Sequence, residues 1–235
     1  MDEQSLLALW QLGVGADRCR RDELLFSDEP ALGARARHAL ALRAAWFGPR
    51  LELLADCPHC AATVEFTLDA DVLADELQRE AAPADGGDGW HAAFDLPGVT
   101  RLRAPRWRDL CDASARVRAD GDDFALVLLA RCSDADVAAL APEVRDALAA
   151  RVAALDPGAR VSVALSCPDC GRGWDAPLDA AELLWRELRR RAEALLADVA
   201  ALADAWGWRD ADVLALHPVR RAAYLQLAGA RGALS

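Results

Sequence analysis

Residues 51–69 read LELLADCPHCAATVEFTLD and residues 161–179 read VSVALSCPDCGRGWDAPLD. At a shift of 110 positions (167 minus 57) the first stretch lies on the second without a gap, Cys57-Pro58-His59-Cys60 over Cys167-Pro168-Asp169-Cys170 and Leu68-Asp69 over Leu178-Asp179. Identity matters less here than pattern, because chance matches are common in an alanine-rich chain. Leu51 and Leu53 meet Val161 and Val163, and Val64, Phe66 and Leu68 meet Trp174, Ala176 and Leu178. Both sets alternate with period two, which predicts a half-buried strand on each side of each cysteine turn.

Outward from the turns the match continues. Upstream, Arg35, Ala39, Ala44, Gly48 and Arg50 fall on Arg145, Ala149, Ala154, Gly158 and Arg160; downstream, Ala70 and Leu73 fall on Ala180 and Leu183. Apolar positions recur at helical spacing over residues 32–47 and again over 135–155. Each half therefore reads helix, strand, Cys-Pro-x-Cys turn, strand, helix, an internal duplication. The second copy leads into a long helix. Asp179 is suited to cap it, Leu188, Ala192, Leu195, Val199, Leu202 and Trp206 form its stripe, and Gly207 is suited to end it. Asp210 and Pro218 mark the starts of two short terminal helices.

The expected fold class is α+β, mainly α: a duplicated unit forming a small antiparallel zinc-ribbon-like core, with a long C-terminal helix and short terminal helices. Residues 1–80 hold N-terminal helices and the first cysteine unit. Residues 81–105 are a linker, centred on Pro83 to Gly89, with a short strand at Thr100 to Arg103. Residues 106–180 hold helices and the second unit, and residues 181–235 a helical region, the whole expected to form one compact domain.

Two close cysteines on a tight turn present both sulfurs to one side, and two such turns facing each other make a tetrahedral four-thiolate site for zinc. Proline after the first cysteine fixes the backbone, and glycine after the second relieves a left-handed turn. Cys167-Pro168-Asp169-Cys170-Gly171 has both features, whereas the first motif has Ala61 in the glycine position, at a cost of about 1 kcal/mol. The candidate ligands are Cys57, Cys60, Cys167 and Cys170, holding one structural zinc per chain. The pairs are 107 positions apart (167 minus 60), beyond the spacing of a compact zinc ribbon, so one metal bound between two chains and two metal-free turns stay open as alternatives.

Cys57-Pro58-His59-Cys60 is also the active-site tetrapeptide of thioredoxin-class disulfide-forming enzymes, in which the first cysteine opens a helix. Residues 61–68 alternate as a strand, which speaks against that chemistry. There is no nucleophile elbow and no phosphate-cradling glycine loop, so no catalytic residue is assigned. With 38 acidic and 27 basic residues the chain carries a formal charge of -11, which disfavours a nucleic-acid partner. No apolar run reaches the ~20 residues of a membrane span and Met1-Asp2-Glu3-Gln4 is acidic, so a cytoplasmic location is expected.

Several stretches carry a resemblance. They are Leu6-Leu7-Ala8-Leu9-Trp10, Phe47-Gly48-Pro49-Arg50-Leu51, both cysteine turns, Leu184-Trp185-Arg186-Glu187-Leu188, Ala205-Trp206-Gly207-Trp208, Asp212-Val213-Leu214-Ala215-Leu216 and Arg220-Arg221-Ala222-Ala223-Tyr224-Leu225. With these the chain resembles the baseplate hub assembly chaperones of T-even-type phages and their relatives in phage-tail-like contractile injection systems. The resemblance implies a non-enzymatic assembly factor or minor structural protein, acting on baseplate hub or spike proteins and in some cases incorporated in the particle. No membrane, nucleic-acid or small-molecule partner is expected. Two readings from other classes stand beside it: a zinc-ribbon nucleic-acid-binding regulator and a thiol oxidoreductase.

Overall fold

The computed structural model describes residues 1–26, 31–80 and 89–232. The expected linker over Pro83 to Asp88 lies outside the described residues. Two compact units are distinguished, one of residues 1–24 with 185–235 and one of residues 25–184. In chain order the elements are α1 (Glu3–Gly13), α2 (Arg18–Leu25), α3 (Leu32–Phe47), β1 (Arg50–Asp56), β2 (Thr63–Asp69), α4 (Ala70–Glu80), β3 (Trp90–Ala92) and β4 (Arg101–Arg103). They continue with α5 (Trp107–Asp120), α6 (Phe124–Cys132), α7 (Pro142–Ala154), β5 (Ser162–Ser166), β6 (Gly173–Pro177), α8 (Ala180–Trp206), α9 (Asp210–Leu214) and α10 (Pro218–Gly232). The described chain is thus mainly helical with three small antiparallel sheets, β1-β2, β3-β4 and β5-β6.

The cysteine hairpins share a register. Leu53 pairs with Phe66 and Ala55 with Val64 in the first; 110 residues on, Val163 pairs with Ala176 and Leu165 with Trp174 in the second. The inward-facing positions are the alternating apolar ones, and burial alternates along all four strands. α3 packs on α4, with Ala39, Leu40, Leu51 and Ala70 fully buried beneath them. Each such leucine contributes about 1.5–3 kcal/mol relative to an exposed one.

Two local outcomes differ from simple periodicity. The second upstream helix begins at Pro142 rather than near residue 135, after a 3-10 turn at Val137–Ala139. Proline is suited to the first helical position because its missing N–H has no helical partner, and it forces Ala141 into the extended conformation observed, ψ 148°. α3 starts after Ala31, which offers no capping side chain; the buried Asp156 carboxylate instead accepts the Gly33 N–H at 2.8 Å. A Cβ on Gly33 would lie 2.9 Å from the Gly158 carbonyl carbon, so the close approach that delivers this cap requires glycine.

The short strand expected at Thr100 to Arg103 is β4, paired with β3. Leu96, Val99, Leu102, Leu129, Cys132, Leu148 and Val152 form the core beneath it. Asp109 is buried at the start of α5, accepting from both terminal nitrogens of Arg103 (2.6 and 2.9 Å), Nε of Arg131 (3.0 Å) and the Arg106 N–H (2.8 Å). Burial opposes its ionisation, but these donors outweigh burial and hold its pKa below the usual carboxylate range.

α8, which belongs to the other unit from Trp185 on, buries the stripe read from sequence: Leu188, Ala192, Leu195 and Leu202 are buried, with Val199 and Trp206 half-buried. Asp179 caps its first turn by accepting the Glu182 N–H at 3.1 Å, and Gly207 ends it at φ +69°. Its 27 residues make a rod about 40 Å long. Gly13 of α1 seats the Trp185 ring, which a Cβ would approach to 2.0 Å. Arg221 of α10, only 2% exposed, is paired with Glu3 at 2.5 Å and Asp198 at 3.2 Å. Trp206 and Trp208 stack with centroids 6.1 Å apart, and Tyr224 meets Trp208 edge-on at 4.8 Å.

Candidate metal centre

Each hairpin turn is closed by the same two backbone hydrogen bonds. The Cys57 N–H donates to the Ala62 carbonyl (2.9 Å) and the Ala61 N–H to the Cys57 carbonyl (2.8 Å). In the second hairpin the Cys167 N–H donates to Arg172 and the Gly171 N–H to Cys167, both at 2.9 Å. Ala61 at φ 61° and Gly171 at φ 70° take the left-handed conformation that reverses the chain after the second cysteine. Among the described residues Ala61 is the only non-glycine with positive φ. The turn geometry thus demands what glycine supplies freely and alanine supplies under strain.

The two turns meet. The four sulfurs of Cys57, Cys60, Cys167 and Cys170 all lie within 4.8 Å of one another, and among the described residues no other group of three or more histidine, cysteine or carboxylate side chains is so placed. Cys57 Sγ is 3.7 Å from Cys170 Sγ and Cys60 Sγ is 3.6 Å from Cys167 Sγ. A disulfide needs about 2.05 Å, so these four thiols are unbonded neighbours. A tetrahedron with metal–sulfur bonds of about 2.3 Å has edges of about 3.8 Å. The close sulfur pairs sit at that edge length, and four thiols with no other donor suit a soft, tetrahedral cation such as zinc.

Surroundings divide the ligands. Cys57 and Cys167, the first of each pair, are each 2% exposed and pack with Val64, Ala62 and Trp174, whereas Cys60 and Cys170 are exposed. Desolvation works against ionisation of Cys57, but the N–H groups of His59 and Cys60 and the thiols of Cys60 and Cys167 outweigh it and hold its pKa down at about 7. For Cys60 the Ala62 N–H favours the thiolate, yet the sulfur of Cys167, desolvation and the remaining two thiols push its pKa up to about 12. Four adjacent sulfurs cannot all ionise without a compensating cation.

His59 stands exposed at the tip of the first turn, outside the sulfur cluster. Cys57 directly follows Asp56, the last residue of β1, and after the turn β2 follows; no helix begins at this cysteine. Trp174 and Val64, the packing partners of the buried cysteines, were visible in sequence only as the first inward positions of their strands. Their place beside the sulfurs follows from each lying opposite the residue two before its motif's first cysteine, Ala55 and Leu165. No protein-family model, curated protein or solved structure matches the chain.

Proposed function

We propose that Cys57, Cys60, Cys167 and Cys170 hold one structural zinc ion, and that the two hairpins are copies of one duplicated unit joined through it in a zinc-ribbon-like core. The observation that carries this reading is the convergence of four thiols from turns 107 positions apart in sequence, with sulfur pairs at 3.6 and 3.7 Å. The shared register, turn hydrogen bonds and left-handed fifth position support the duplication. Zinc at such a centre stabilises the fold and does no chemistry of its own.

On this scaffold the protein acts without catalysis, as an assembly factor or minor structural protein of a phage-like baseplate or contractile injection system, through contacts with hub or spike proteins. The support is the resemblance carried by both cysteine turns and the C-terminal stretch. No described helix is long and apolar enough to cross a membrane. The net charge of -11 counts against a nucleic-acid-binding regulator, and the strand following Cys60 counts against a thiol oxidoreductase. Deletion of the gene in a producing cell tests the role: particles lacking hub or spike are expected, and normal particles would contradict it.

A further inference from the structure

α10 is amphipathic in an unusual sense. Arg221, Tyr224, Leu225 and Ala228 face its own unit and are buried or half-buried. The opposite face carries Val219, Ala222, Ala223, Gln226, Leu227 and Ala230 at i, i+3, i+4, i+7, i+8 and i+11, all exposed, with Val219 at 71% and Leu227 at 54%. Apart from Gln226 this row has no polar side chain. An exposed helix face of a soluble unit is ordinarily charged, so an apolar one over three turns marks a contact surface.

The charges beside the face say what it fits. α10 has three arginines and no acidic residue, in a chain of net charge -11. Arg221 is neutralised by Glu3 and Asp198. Arg220 is exposed beside the apolar row and makes no ion pair among the described residues. We infer that this face of α10 docks an amphipathic helix of another protein, whose apolar stripe lies on Val219, Ala223 and Leu227 and whose acidic flank lies along Arg220. The alanines let the partner's backbone approach closely. A second copy is the poorer occupant: α10 has no acidic residue, so neither antiparallel nor parallel pairing of two such faces offers Arg220 a carboxylate. An anionic bilayer is poorer too, because the acidic remainder of the chain is repelled from it and the face has no aromatic anchor. The inference stands independently of the zinc and baseplate readings.

The test uses the full chain and two labelled helical peptides of about 20 residues, identical in their leucine-alanine stripe but with glutamate or lysine on one flank. Fluorescence anisotropy should show the glutamate peptide binding at least about tenfold more tightly than the lysine peptide at low salt. Leu227→Asp should abolish binding, and Arg220→Glu should reverse the preference, a gain that misfolding cannot mimic. Equal binding of the two peptides, no binding of either at about 1 mM, or binding unaffected by Leu227→Asp would overturn the proposal. So would a dimer in sedimentation that Leu227→Asp dissolves, or retention on phosphatidylserine-containing vesicles.

Discussion

Ala61 occupies a backbone conformation that its counterpart Gly171 adopts without steric penalty. The pair makes a reciprocal test of local strain. Ala61→Gly should stabilise the protein by about 1 kcal/mol, because relief of left-handed strain exceeds the added freedom of the unfolded glycine, and Gly171→Ala should destabilise it by a similar amount. Nothing lies within 4 Å of a Cβ built on Gly171, so the loss would report backbone conformation rather than a clash. Urea midpoints of the two variants, measured with metal in excess, give both signs. Asp134 offers a pH test at the same scale. The Thr100 hydroxyl and the Thr100 and Arg101 N–H groups donate to its carboxylate and lower its pKa from 3.8 to about 2. A depressed carboxylate stabilises the fold above its unfolded pKa, and that contribution disappears as pH falls from about 4 to about 2. The stability gap between the protein and Asp134→Asn should therefore be open at about pH 6 and close across that window. A gap constant over the same range would show that the carboxylate charge plays no part.

At the scale of elements, α3 and α8 show two ways of starting a helix. Asp179 caps α8 from three residues before Glu182, a signal local enough to read directly from sequence. The cap of α3 comes from Asp156, 123 positions from Gly33, and no local pattern announces it. Asp156→Ala should cost about 1–2 kcal/mol, the usual value of a lost N-cap, measurable by thermal or urea unfolding. Leu195 lies fully buried in the stripe of α8; Leu195→Ala should cost about 3–5 kcal/mol, against less than about 0.5 kcal/mol for the exposed Ala201→Ser. The strands, the long helix and its glycine stop were legible because period two, period 3.6 and a left-handed glycine each have a local cause. The onset of α7 was not. In an alanine-rich stretch nearly every position fits a helical stripe, so the proline, not the periodicity, set the boundary at residue 142. The buried Asp109 cluster escaped for another reason: its partners Arg103 and Arg131 stand 6 and 22 positions away, and sequence does not reveal which of 27 basic residues turns inward.

For the whole molecule, the informative feature is that two turns far apart in the chain meet at their sulfurs. The shift of 110 positions named the four cysteines, but it left open whether the turns faced each other, faced another chain or stood apart. Their meeting depends on packing around Val64 and Trp174, which no spacing rule encodes. A metal shared by the turns closes a loop of over a hundred residues, so its removal should loosen the unit of residues 25–184 as well as the turns themselves. The most direct measurement is zinc content and thiol reactivity together, on native protein purified without added metal and on Cys167→Ser. One zinc per chain is expected, with Cys57 and Cys60 protected from a thiol reagent, and loss of both the metal and that protection in the variant. A fully folded native protein with no metal and four reactive cysteines would contradict this expectation.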